Sequence, residues 1–200
     1  MIEEIIPRRM LLLCGCAALE ARGDLQRLDV AIRKALDGGV SVNELKDAFA
    51  QLYAYTGFPR SLNALNTLER VLSERETEGI ADYEGKPFQR PAAWDDAKLA
   101  LQLGTAMQTR DEGGTPWNYS FCPQADYYMK SHLFGDIFAC DQLTPAEREL
   151  ITVSALSAMD GVTPQFEGHK ECAVFMGNTK EQVDYLCRWL REKIRTFADR

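Results

Sequence analysis

The sequence contains two histidines, His132 and His169, and an imidazole is the side chain best suited to exchange a proton near neutral pH. His169 falls on a predicted helix, and Cys172 follows about one turn later on the same face. Such an imidazole serves as a general acid or base, and it can activate a neighbouring thiol as a nucleophile or redox centre. The ordinary alternative is a core histidine satisfied by one hydrogen bond, beside a small buried thiol.

Three further groups are candidates. His132 and Asp136 are four residues apart on one helical face, where the carboxylate would orient the imidazole, although a surface or subunit-contact pair has the same spacing. Glu149 begins another predicted helix and is a candidate for substrate binding, although an acid at that position also simply suits the helix dipole. A substrate carboxylate would be clamped through a bidentate contact with Arg148 or Arg60.

Composition limits the class of protein. The chain has 200 residues, 46% apolar and 26% charged, which is typical of a soluble globular protein with a sizeable core. Its formal net charge is −7, and the two signs are interspersed rather than clustered. Because nothing forms a phosphate-binding stripe, we expect no nucleic-acid partner.

The cysteines predict reduced thiols. Six cysteines occur without any C-x-x-C pair, and two histidines cannot build a His-rich cluster, so we expect no metal site. The apolar run over residues 10–19 resembles part of an export leader, but the acidic residues Glu3 and Glu4 argue against one. No apolar stretch is long enough to span a bilayer. We therefore expect a cytoplasmic protein without a membrane partner.

An internal repeat organises the chain. Residues 38–45 align with residues 176–183, and each copy has a glycine two residues before a Ser or Thr, with Glu or Gln three residues further on. This pattern predicts a helix end, a tight turn and a capping box that opens the next helix. With apolar residues at helical spacing on both sides, it predicts an all-α fold of two antiparallel helical-hairpin repeats about a pseudo-twofold axis.

The predicted repeats divide the chain. We expect a first repeat over residues 1–77, a linker or arm over 78–116 with one short helix at 92–107, and a second repeat over 117–200. The second repeat has an added helix, predicted at 125–140, after which Thr144 caps the next helix.

Four segments carry a resemblance to a known family. They read LYAYTGFPRSLNAL at 52–65, HLFGDIF at 132–138, RELIT at 148–152 and QFEGH at 165–169. In this order they resemble the helix-break-helix signature, entry helix, core helix and histidine helix of the carboxymuconolactone decarboxylase family, of the alkylhydroperoxidase D-like superfamily. The chain particularly resembles bacterial members with two repeats. The resemblance implies an all-helical fold, homo-oligomers such as trimers or hexamers, and sites between helices near subunit contacts.

The resemblance leaves the chemistry open between two branches. One branch decarboxylates a muconolactone; the other reduces peroxides with a C-x-x-C pair followed by histidine, and those cysteine positions fall here on Val162 and Gln165. In this respect the chain is more like the decarboxylase branch. Ala31 stands where the second repeat has His169, so at most one of the two sites is complete.

Three functions follow as hypotheses. The first is a small-molecule lyase, in which an arginine holds a carboxylated lactone and His169 delivers a proton as carbon dioxide leaves. The lactone's own carbonyl takes up the electrons, so no cofactor is implied. The second is a peroxiredoxin-like thiol peroxidase that uses a single cysteine, and the third is a non-catalytic oligomeric binding protein.

Overall fold

The predicted all-α class is confirmed. The computed structural model describes residues 5–89 and 120–195, and within these ranges it contains helices and no strand. The predicted short helix at 92–107 lies outside the described residues. The helices are α1 (Arg8–Arg22), α2 (Leu25–Asp37), α3 (Val42–Thr56), α4 (Phe58–Thr77), α5 (Pro123–Tyr128), a π-helical segment (Met129–Ile137), α6 (Pro145–Ser157), α7 (Thr163–Phe175) and α8 (Lys180–Lys193).

Both predicted turns have the geometry that their sequences indicate. Ser41 accepts a bond from the Glu44 amide at 3.2 Å, and the Ser41 amide donates to the Glu44 carboxylate at 2.8 Å. Thr179 forms the same capping box at the start of α8. The preceding glycines, Gly39 and Gly177, have φ of 87° and 114°, where a side chain would be strained. The capping boxes are therefore confirmed, whereas the two-copy symmetry stays a prediction.

The helix predicted at 125–140 differs from the observed one. Six residues of α5 are followed by nine residues of π-helix, with the Phe138 amide bonded to the Leu133 carbonyl at 3.0 Å. Within this segment the Ser131 hydroxyl donates to the Tyr127 carbonyl at 2.7 Å. The following capping box at Thr144 is as predicted.

The described residues form two compact units. Of the described residues, one unit comprises 5–87 and 144–195, and the other comprises 88–89 and 120–143. In the first unit α1 packs against α2 and α6, α3 against α4, and α6 against α7. Almost every residue of α1 after Arg9 is buried up to Ala21, and ten residues of α6 are buried. These two central helices therefore form the core on which the other helices pack.

The start of the predicted linker packs on the first unit. The Tyr83 carbonyl accepts a bond from the Val42 amide at 3.0 Å, and Arg75 forms ion pairs with Asp82 at 2.8 Å and Asp37 at 2.9 Å. Residues 78–87 are thereby held at the beginning of α3. Within the described residues, no helix combines the length and the apolar character needed to cross a bilayer.

The cysteines are free, and five of the six are buried. Burial raises the pKa of Cys14 to about 12 and that of Cys187 to about 11, and it raises the pKa of Cys16 still further. A thiol reacts as its thiolate, so these three are inert space-filling groups at neutral pH.

A buried carboxyl at the end of α1 predicts a stability that falls with pH. Burial raises the pKa of Glu20 to about 7, against the opposing effects of the Thr56 hydroxyl bond and the Arg60 charge. The unfolded chain releases this proton near pH 4.5, so the folded state loses stability as pH rises from there to about 7. We expect Glu20→Gln, which stays neutral, to gain about 2 to 3 kcal/mol over the parent between pH 4.5 and 8. Urea unfolding across this range measures the difference, and a constant difference would contradict the prediction.

Candidate functional site

The site is centred on a carboxylate and an imidazole from two packed helices. Glu149 lies on α6 and has no exposed side-chain surface, whereas His169 lies on α7 with 17% of its side chain exposed. The Nδ1 atom of His169 is 2.7 Å from Oε2 of Glu149. With Nδ1–H donating to the carboxylate, the ring is fixed in orientation and tautomer, and Nε2 is left for proton exchange.

Cys172 completes a cluster of three groups. It follows His169 by one turn of α7 and is buried, and its Sγ lies with the ligand atoms of His169 and Glu149 within 4.8 Å of one another. The second carboxylate oxygen of Glu149, Oε1, is buried without a hydrogen-bond partner among the described residues. Nδ1 of His169 and Oε2 of Glu149 lie at hydrogen-bond distance, 2.7 Å, and a single cation would be in reach of all three groups.

Tyr55 is a site residue that the sequence did not single out. Its ring meets the His169 ring edge-on, with centroids 5.3 Å apart and planes at 82°. Burial, and next the charge of Glu149, raise the pKa of Tyr55 well above its ordinary value, so its hydroxyl stays protonated. Tyr55 lies within the segment that carried the family resemblance at 52–65, which was the available signal.

Arg148 is engaged inside the protein. Its side chain has no exposed surface, and its guanidinium contacts Oδ2 of Asp47 at 2.7 Å and Oε1 of Gln51 at 2.9 Å. Gln51 in turn donates to the Arg148 carbonyl and to Thr152, both at 3.0 Å. These bonds tie α3 to α6, and they would have to open before the guanidinium reached a substrate. The substrate-binding role of Arg148 stays a prediction.

Arg60 has a different environment. It is exposed at the start of α4, and its charge acts on the buried carboxyl of Glu20. Of the two predicted clamps, Arg60 is thus the one with solvent-accessible surface. Its binding role also stays a prediction.

The second histidine forms the predicted pair within the other unit. Nδ1 of His132 is 2.7 Å from Oδ2 of Asp136, and 47% of the His132 side chain is exposed. The predicted contact is thus formed although this segment is π-helical. The catalytic role of His132 and Asp136 stays a prediction. The structure therefore brings Glu149, His169 and Cys172 together in the first unit, whereas His132 and Asp136 form a separate pair within the second unit.

These features define a class: an all-helical protein with a buried carboxylate–imidazole pair between two helices. Residues 1–70 match the model of the Carboxymuconolactone decarboxylase family. Over this range the predicted resemblance to that family, which is part of the alkylhydroperoxidase D-like superfamily, is confirmed. The matched range ends before Glu149 and His169.

One curated relative has a related sequence. Peroxisomal protein 2 of Saccharomyces cerevisiae (strain ATCC 204508 / S288c) is 24% identical over 149 residues, which cover 64% of this chain and 52% of the relative. The chain thus spans about half the length of the curated relative it matches.

Proposed function

We propose that the protein is a carboxymuconolactone decarboxylase-like lyase in which His169 acts as acid and base on a small carboxylated lactone. The observation that carries this proposal is the 2.7 Å contact between a fully buried carboxylate and a partly exposed imidazole. A carboxylate that is shielded from water holds the ring in one orientation, while the exposed part of the ring meets the solvent side. The family match over residues 1–70 supports the substrate class.

The proposed reaction balances without an added redox partner. The bond between the substrate carboxylate and its carbon breaks, carbon dioxide leaves, and the electron pair moves into the conjugated lactone carbonyl. Protonated His169 then donates a proton from Nε2 to the carbon, and it recovers a proton from solvent. Glu149 acts as a positioning residue, because it keeps Nδ1–H directed inward throughout.

The surroundings of the reaction are also proposals. The exposed Arg60 is the substrate clamp that costs no internal bond, and no cofactor takes part. The protein assembles with itself, as a trimer or hexamer, and works in the cytoplasm.

The test is decarboxylation of 4-carboxymuconolactone by purified protein, with carbon dioxide release as the readout. We expect Glu149→Gln to lower kcat about a hundredfold and to change KM less than about threefold, since the charge that orients His169 is lost while the shape is kept. Glu167→Gln, the same change at an exposed carboxylate of α7, should match the parent. Absence of turnover by the parent protein would contradict the lactone as the substrate. An equal loss of kcat in both variants would contradict the positioning role of Glu149.

A thiol peroxidase is the second candidate, because Sγ of Cys172 lies in the same cluster. The thiolate would attack a hydroperoxide oxygen, break the O–O bond and release an alcohol after protonation, leaving a sulfenic acid. Two equivalents of an added thiol would then restore the cysteine, with release of water and a disulfide. Consumption of tert-butyl hydroperoxide with dithiothreitol, lost in Cys172→Ser and kept in Cys187→Ser, would favour this function. A ligand retained in native mass spectrometry without either turnover would favour a binding protein.

A further inference from the structure

The first unit contains a cavity that the proposed chemistry does not use. It lies between α1, α2 and α8 and has a volume of about 540 Å³, within the range of small-molecule sites. Its walls are mainly apolar and include Leu12, Leu19, Val30 and Trp189. A ligand here would therefore bury an apolar body.

Gly15 shapes one wall of this cavity. A Cβ at this position would lie 3.2 Å from Cη2 of Trp189, closer than ordinary van der Waals contact. Glycine in the middle of a helix is destabilising relative to alanine. Gly15 is nevertheless suited to this position, because the absence of a side chain lets the indole ring of Trp189 lie directly against α1.

The charges around the cavity are positive. Arg27, Lys34 and Lys193 line it, and none of the described lining residues is acidic, in a chain whose net charge is −7. Arg27 is oriented by the carbonyls of Ile194 at 3.2 Å and Lys193 at 3.4 Å, with Asp24 at 3.6 Å as a partial counter-charge. Two other cavities differ from it in charge: one is lined by Glu76, Asp82 and Glu84, and the other combines three acidic residues, Glu167, Glu171 and Asp184, with Lys170 and Lys180.

The repeat alignment relates this cavity to the proposed catalytic site. The register that places Ala31 opposite His169 also places Lys34 opposite Cys172 and Leu11 opposite Glu149. The first copy therefore has a methyl group and a cation where the second copy has an imidazole and a thiol. With alanine and lysine at these positions, the first copy lacks the imidazole and thiol needed for proton transfer, and it has apolar space beside a positive charge instead.

From the cavity and its charges we propose that the first copy binds a small amphiphilic carboxylate, with a medium-chain apolar body in the cavity and its anionic end among Arg27, Lys34 and Lys193. The apolar walls account for the body, and the cationic rim distinguishes an acid from a neutral or cationic molecule of the same length. This binding is independent of the chemistry at His169.

Isothermal titration calorimetry of the full chain with decanoate, decanol and decyltrimethylammonium tests the proposal. Three solvent-exposed charge contacts together are worth about tenfold in Kd, so decanoate should bind about tenfold more tightly than decanol at low salt. Added salt should reduce this difference in affinity between decanoate and decanol, because it screens the charge contacts. Absence of decanoate binding, or binding of decanol or the ammonium as tight as that of decanoate, would overturn the proposal.

Variants locate the binding. The double variant Lys34→Gln and Lys193→Gln should weaken decanoate binding about fivefold and leave decanol binding unchanged. Both lysines are exposed, so the substitutions remove charge without removing buried packing. Lys46→Gln with Lys180→Gln makes the same change in net charge outside the cavity and should have no effect. Ala31→Phe should abolish binding of both ligands by filling the space. If Ala31→Phe does not fold, the lysine pairs decide, and equal weakening by both pairs would refute the assigned site.

Discussion

His169→Ala should lower kcat for 4-carboxymuconolactone about a thousandfold, because the proposed reaction has no other proton donor at the substrate carbon. The partly exposed imidazole is lost, while Glu149 and Cys172 stay in place. Glu171→Ala changes an exposed position on the same helix and should leave kcat within about twofold of the parent value, because the substitution does not touch the reacting groups. Initial rates of carbon dioxide release measure both.

Added imidazole separates chemistry from folding in this experiment. The alanine variant leaves space beside the Glu149 carboxylate, and free imidazole should occupy it and restore part of the activity. A purely structural role for His169 would show no such rescue. Parent-like turnover in His169→Ala would remove this residue from the mechanism.

Asp47→Asn should lower the free energy of unfolding by about 4 kcal/mol, since it takes the carboxylate away from a guanidinium with no exposed surface. Desolvation of a charge is tolerable only when a counter-charge is close. The asparagine keeps the shape of the side chain, so the change isolates the charge. Urea unfolding with an unchanged m value measures the effect.

Asp37→Asn is the matched control for this prediction. Asp37 also pairs with an arginine, Arg75, but 64% of its side chain is exposed. Its loss should cost less than about 1 kcal/mol. Equal costs for the two variants would contradict the assignment of Arg148 and Asp47 as the buried link between α3 and α6.

Local sequence determined the helix boundaries that close-range contacts define. The capping boxes at Ser41, Thr144 and Thr179 each join atoms three residues apart, so their sequence signature contains the whole interaction. The pairing of His132 with Asp136 is likewise an i,i+4 contact, and it persisted where the α-helix was replaced by a π-helix. Apolar spacing sufficed for the all-α class, because each helix needs one face to bury.

The sequence already placed His169 and Cys172 on one helical face, but only the tertiary structure added the carboxylate to this pair. Glu149 was explicable from sequence as a helix-dipole acid, and only the packing of α6 on α7 brings its carboxylate to His169, 20 residues away. The same packing encloses Arg148, orients Tyr55 towards the imidazole and places the Trp189 ring against Gly15. Residue type and spacing specify which face of a helix is apolar. They do not specify which partner that face meets or how much water remains there, and those two quantities determine whether a charged side chain becomes a structural link or a reactive group.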